Sequence, residues 1–205
     1  CFGDNDGAID GSGFCPGGSD RETGAGSAED DHGHGTHVSS IITSNGTTAS
    51  VGVAPGADIV AVKELDNLNR FFFTSEVIAG LQWIIDNNTT GLNLGVDVIN
   101  MSLGTNALFN SPCDNFNANT LAMANAINTL RGMGVTPVVA SGNNGSGTQR
   151  PLPACVANTF SVGAVDAADV VADFSNSDAT TDVFAPGTNV EDVTFIVASR
   201  MGGGT

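Results

Sequence analysis

His32, His34 and His37 are the 3 histidines of the chain, and they sit together in Asp31-His32-Gly33-His34-Gly35-Thr36-His37-Val38. Imidazole is the side chain that binds metals and exchanges protons near neutral pH, so the cluster admits three readings. Chance gathering of surface and core histidines is the bland one. Zinc ligation is the second: His34 and His37 can share a helical face, but the glutamate of a His-Glu-x-x-His site is missing, and Gly33 and Gly35 leave the ligand geometry loose. In the third, His34 stands at the first turn of a helix that continues through the apolar segment Val38 to Thr43. There the orphan N–H groups and the dipole disfavour imidazolium and leave a neutral base. Such a base needs a nucleophile and an orienting carboxylate.

The elements able to position these groups alternate along the chain. Ile59-Val60-Ala61-Val62 is a short β-branched run, and Ser75 to Asn87 repeats Val77, Ile78, Leu81, Ile84 and Ile85 at helical spacing. The pair returns as Val96-Asp97-Val98-Ile99-Asn100 followed by Asn119 to Gly134, with Leu121, Ala124, Ile127 and Leu130 on one face. Thr136 to Ala140 and Thr159 to Ala164 are continuous apolar runs, the pattern of strands covered on both faces, and Val193 to Ala198 is also strand-like. The expected fold is α/β, a largely parallel sheet with helices on both faces. Ligands of such sheets sit beyond the carboxyl ends of the strands, which directs attention to Met101-Ser102-Leu103-Gly104 and Ser141-Gly142-Asn143-Asn144-Gly145.

Composition narrows the function. The 205 residues carry 22 acidic against 6 basic side chains, a formal charge of −16, which repels phosphate backbones and anionic membranes, so nucleic-acid binding is not expected. A 40% hydrophobic and 14% charged composition is that of a folding chain, and no apolar run reaches the ~18 residues of a spanning helix. Residues 1–30 read as an acidic, disulfide-tied loop region and 31–205 as the core of a single domain. Cys1, Cys15, Cys113 and Cys155 contain no Cys-x-x-Cys. They are read as two disulfides of an exported protein. Their spacing favours Cys1–Cys15 and Cys113–Cys155, although four cysteines allow three connectivities.

The histidine segment resembles the catalytic-histidine motif of subtilisin-like serine peptidases, the subtilases. Val98-Ile99-Asn100-Met101-Ser102-Leu103-Gly104 resembles that family's substrate-binding strand, and Val139-Ala140-Ser141-Gly142-Asn143-Asn144-Gly145 its oxyanion-asparagine loop. Val51 to Pro55, Ser161 to Val165, Phe174-Ser175-Asn176 and Phe184 to Gly187 also match family segments, so the likeness covers nearly all of the chain from Asp31 onward. Val38-Ser39-Ser40 departs from the usual alanine and glycine. The resemblance implies an endopeptidase with an Asp/His/Ser triad acting on proteins or peptides as a monomer. His34 would be general base and Asn143 an oxyanion donor, with His37 structural. Ser102, Leu103 and Gly104 would line one wall of the specificity pocket, and Ala140, Ser141 and Gly142 the other. Arg70-Phe71-Phe72-Phe73 reads as an aromatic floor for upstream substrate residues or as simple core.

Two triad members have no counterpart. The family aspartate follows an apolar strand and precedes a small residue and then glycine, whereas Asp10 has these in reverse order as Asp10-Gly11-Ser12, and Asp4 and Asp6 fit less well. The nucleophile motif runs Gly-Thr-Ser-Met-Ala, and the sequence closes at Gly204-Thr205. The expectation is a partial catalytic domain, truncated at both ends and inactive by itself. The rival expectation is a catalytically dead relative that binds peptides through the same cleft. Subtilases commonly bind calcium, and Asp4, Asp6 and Asp10 alternate around a glycine as in calcium loops. A complete EF-hand is excluded, since aligning Gly7 with the loop glycine puts Phe2 first and Gly13 last. A simpler calcium-supported loop and solvated turn acids both remain open; melting with and without a chelator separates them.

Overall fold

The computed structural model describes residues 1–4, 13–110, 112–194 and 198–202, with 191–194 and 198–202 given by backbone alone. In chain order the elements are α1 (His34–Thr43), α2 (Thr74–Asn88), β1 (Val98–Met101), β2 (Leu108–Phe109), α3 (Ala118–Gly132), β3 (Thr136–Ala140), β4 (Arg150–Pro151), β5 (Phe160–Val165), β6 (Val183–Pro186), β7 (Val190–Thr194) and β8 (Ala198–Gly202). They fall into two compact units, Cys1–Ile84 with Glu191–Met201, and Ile85–Val190 with Gly202–Thr205. Among the described residues no helix is long and apolar enough to cross a membrane.

In the first unit the opening segment is closed by the Cys1–Cys15 disulfide, the pairing the spacing favours. Phe2 and both cysteines are buried, as are Val77, Leu81 and Ile84 along one stripe of α2. Ile59-Val60-Ala61-Val62 differs from expectation and forms no strand. Ile59 is 46% and Val60 42% exposed, and the nearest backbone bond is a single one, from Phe2 N–H to the Lys63 carbonyl at 3.0 Å. A β-branched run needs a ladder partner to become a strand, and among the described residues it has none. Two residues beyond the run stands Glu64, a buried carboxyl whose two oxygens meet no donor among the described residues. A Cβ on Gly80 of α2 would collide with Glu64 Oε1. Arg70-Phe71-Phe72-Phe73 supplies no buried side chain; the Arg70 guanidinium lies 5.4 Å from the Phe72 ring centroid, and Phe72 is 46% exposed.

The second unit holds the parallel sheet, in the order β1-β3-β5-β6 with every pairing parallel. The expected α/β arrangement with a parallel sheet is thus present. Register runs Val98↔Thr136 to Met101↔Val139, Val138↔Phe160 to Ala140↔Val162, and Val162↔Val183 to Val165↔Pro186. The helix α3 packs on β3. It starts at a reciprocal cap, in which Asn117 Oδ1 accepts from Thr120 N–H at 2.9 Å and Thr120 Oγ1 accepts from Asn117 N–H at 3.0 Å. Gly134, at φ +86°, supplies the left-handed turn beyond its end. Its buried stripe is Thr120, Met123, Ala124, Ile127 and Leu130, so Leu121, expected on that face, lies at its flank and is 44% exposed. The Cys113–Cys155 disulfide and the short antiparallel pair β2/β4 fasten the loops around this core.

Candidate active site

In the first unit, His34 is the first residue of α1 and is half-buried. The turn that presents it is made by Gly33, at φ +99°, a left-handed conformation that costs glycine little. Asp30 caps the helix from outside. Its Oδ1 accepts from His32 N–H at 3.1 Å and Gly33 N–H at 2.7 Å, and its Oδ2 from Thr36 N–H at 2.7 Å and Thr36 Oγ1 at 2.6 Å. Burial would raise this carboxyl, but the Thr36 hydroxyl and the three backbone donors outweigh it and hold it at about 2. It is therefore anionic at neutral pH. Burial lowers the His34 imidazole below its ordinary 6.5, His32 lowers it further, and the Asp30 carboxylate opposes both. The balance lies below the ordinary value and favours the neutral imidazole, through burial and His32 and not through the helix terminus invoked from the sequence.

His37, one turn on, is buried, and its backbone N–H donates to the Gly33 carbonyl at 2.9 Å. His32 is exposed. Ahead of the cluster, Lys63 Nζ reaches Asp31 Oδ1 at 2.7 Å and the Glu29 carbonyl at 3.0 Å, which ties this loop to the segment after residue 59.

Of the expected metal ligands, Asp4 is buried and bridges Gly13 through its backbone, while Asp6 and Asp10 lie outside the described residues. Among the described residues no group of three or more His, Cys, Asp or Glu side chains is gathered as for a metal ion.

The second unit carries the other segments. Ser102, Leu103 and Gly104 lie just past Met101↔Val139, the last register pair of β1 and β3, with Ser102 and Leu103 half-buried and Gly104 exposed. Asn100 Nδ2 donates to Ser102 Oγ at 3.1 Å. Among the described residues β1 stands at the edge of the four-stranded sheet, paired on one side with β3.

Beyond β3 the chain turns sharply. Ser141 is fully buried, with its N–H on the Val162 carbonyl at 2.9 Å and its hydroxyl on the Asn176 carbonyl at 2.8 Å. Its side chain is thus turned into the protein, and only its backbone can serve a ligand. Gly142 follows at φ +109° and Gly145 at φ +63°, with Asn143 and Asn144 exposed between them. Gly145 N–H donates to the Phe174 carbonyl at 2.7 Å. A buried ion pair, Arg150 Nε to Asp178 Oδ2 at 3.1 Å, and bonds from Arg150 Nη1 to Ser161 Oγ at 2.8 Å and the Thr180 carbonyl at 3.1 Å anchor the far end of this loop.

The first unit therefore holds His34, and the second holds Ser102-Leu103-Gly104 and Ala140-Ser141-Gly142 with Asn143. Sequence reading missed Asp30, Asn176 and Arg150. Asp30 carried a usable signal, a capping-type residue three positions before the turn glycine. Arg150 and Asn176 carried none, since their partners lie some 30 positions away, as in Arg150 with the Thr180 carbonyl and Asn176 with Ser146 N–H.

The family model described as the Subtilase family matches residues 9–204. The chain belongs to the subtilase family. It is 38% identical over 162 residues to Subtilisin-like protease 2 of Pseudogymnoascus destructans, covering 79% of this chain and 35% of that protein. It is 41% identical over 173 residues to the Extracellular serine proteinase of Thermus sp. strain Rt41A, covering 84% of this chain and 37% of that protein. A cold-adapted subtilisin-like serine proteinase of known crystal structure superposes with a TM-score of 0.68 at 28% identity, covering 87% of this chain and 57% of that one. The chain thus spans roughly a third of the length of these two sequence relatives, at 35% and 37%.

Proposed function

We propose that the protein carrying this chain is a serine endopeptidase that cleaves peptide bonds through an acyl-enzyme. His34 takes the proton of the nucleophilic hydroxyl and later returns it to the leaving amine. Asn143 donates its side-chain amide to the scissile carbonyl oxygen as negative charge develops there. Ser102-Leu103-Gly104 receives the substrate backbone as an added strand and lines one wall of the specificity pocket, and Ala140-Ser141-Gly142 lines the other. One observation carries the reading: His34 is a half-buried imidazole at the start of a helix, its pKa held below 6.5, within the histidine motif of a chain that belongs to the subtilase family. A neutral imidazole is the form a general base requires.

Within the 205 residues no serine stands in the family's Gly-Thr-Ser-Met-Ala setting. The Ser141 hydroxyl is committed to the Asn176 carbonyl, and Ser102 belongs to the substrate strand. The 205 residues alone are accordingly proposed to lack triad chemistry. The substrate class is protein or peptide, and the enzyme is a monomer that works outside the cell. Two disulfides and the extracellular Thermus relative support that compartment. Calcium support of the opening segment through Asp4, Asp6 and Asp10 rests on the donor chemistry alone, an all-oxygen carboxylate set of the kind calcium takes.

The test uses the full-length protein that contains this sequence, measuring peptide hydrolysis together with labelling by a serine-directed fluorophosphonate. The expected result is labelling of one serine and cleavage that falls by orders of magnitude in His34→Ala. A protein that binds peptides without labelling or cleavage is the catalytically dead relative, and this reading is then wrong. Labelling of the 205-residue polypeptide by itself would contradict the absence of a nucleophile within it.

A further inference from the structure

Asn176 is fully buried, and nearly every polar atom it has is spent on one short loop. Its N–H donates to the Gly142 carbonyl at 2.9 Å, and its carbonyl accepts from Ser141 Oγ at 2.8 Å. Its side-chain Oδ1 accepts from two backbone donors, Asn144 N–H and Ser146 N–H, both at 3.0 Å. Its Nδ2 donates to Asn144 Oδ1 at 3.4 Å. Gly142 has to be glycine twice over: its φ is +109°, and a Cβ there would stand 2.5 Å from Asn176 Nδ2.

Asn143 lies at the centre of this pattern. Residues on both sides of Asn143 are gripped, Ser141 and Gly142 before it and Asn144 and Ser146 after it, while Asn143 stands exposed at the apex. Two backbone donors converging on one carbonyl oxygen fix the curvature of the loop, and with it the direction in which residue 143 projects. The chemistry selects asparagine. Alanine removes both acceptor and donor, aspartate keeps the acceptor but buries a charge and loses the donor, and glutamine is longer by a methylene.

We propose that Asn176 is the positioning residue that aims the Asn143 amide at the developing oxyanion. This rests on the proposed role of Asn143. An oxyanion donor works only when held close to where the charge will be, and a misplacement of about 1 Å costs on the order of 100-fold in rate.

The experiment is a kinetic double-mutant cycle in the full-length protein that contains this sequence, with kcat expressed per fluorophosphonate-titrated site. Asn176→Ala is expected to lower kcat by about 10-fold or more, and to cost less than about 3-fold when Asn143→Ala is already present. Equal losses in the two backgrounds, or fewer titratable sites with an unchanged kcat per site, would overturn the proposal. If Asn176→Ala gives no titratable protein, Asn176→Asp carries the test. Its kcat relative to the parent is expected to recover as pH falls, because a protonated carboxyl regains the donor that faces Asn144; a flat ratio overturns the proposal. Asn143→Ala alone separates the two levels. If it leaves kcat unchanged, the oxyanion reading fails and this inference with it; if it lowers kcat while Asn176→Ala does not, only this inference fails.

Discussion

At the scale of single residues, the chemistry of the first unit depends on a contest around His34. Burial and His32 push its imidazole down, and the Asp30 carboxylate pulls it up while being held at about 2 by its own donors. An NMR titration of the His34 ring in this chain should give a midpoint below 6.5, and Asp30→Asn should move it lower still, since the opposing charge is gone. A midpoint above 6.5 would mean that burial does not govern the ring. The placement of His34 at a helix start was legible in the sequence because glycines flank it and an apolar helix follows. Asp30 was harder to see, since it caps from outside the helix and not from the residue before it. The partnership of Asn176 with Asn144 and Ser146 could not be read at all, because no local pattern links a buried amide to a loop some 30 positions earlier.

At the scale of elements, reading succeeded where burial on both faces or one face imposed a period. The helix expected from Ser75 to Asn87 is Thr74–Asn88, and the strand expected from Thr136 to Ala140 is found with those bounds. It failed at Ile59 to Val62, where propensity was present but the described residues supply no ladder, and at Leu121, where the buried stripe runs through Met123 and Ile127 instead. That same apolar run leads into Glu64, whose behaviour composition could not foretell. Burial drives the Glu64 carboxyl well above its ordinary 4.5; Glu76 adds to the rise, and Arg21 opposes. Folding therefore takes up a proton at Glu64. The stability this contributes is fully present below the unfolded value of 4.5 and is lost as pH rises through the folded value. The melting temperature of the protein should accordingly fall from mildly acidic to neutral pH, and Glu64→Gln should flatten that dependence. A slope unchanged by Glu64→Gln would show that the carboxyl is not the titrating group.

At the scale of the whole molecule, family membership rests on a match over residues 9–204, while the sequence relatives extend to roughly three times the span compared, with 35% and 37% of their lengths covered. What the proposal requires beyond membership is that the imidazole of the first unit and the carboxamide of the second act on the same substrate carbonyl. A peptidyl chloromethyl ketone reads both at once in the full-length protein that contains this sequence. Its chloromethyl carbon alkylates a histidine only while its carbonyl is held where the scissile one would be. Mass spectrometry is expected to find the adduct on His34, and Asn143→Ala to slow its formation by about 100-fold to 1,000-fold, the scale set by loss of one oxyanion donor in subtilisin. Modification of a different residue, or an adduct on His34 that forms at the same rate without the Asn143 amide, would contradict it.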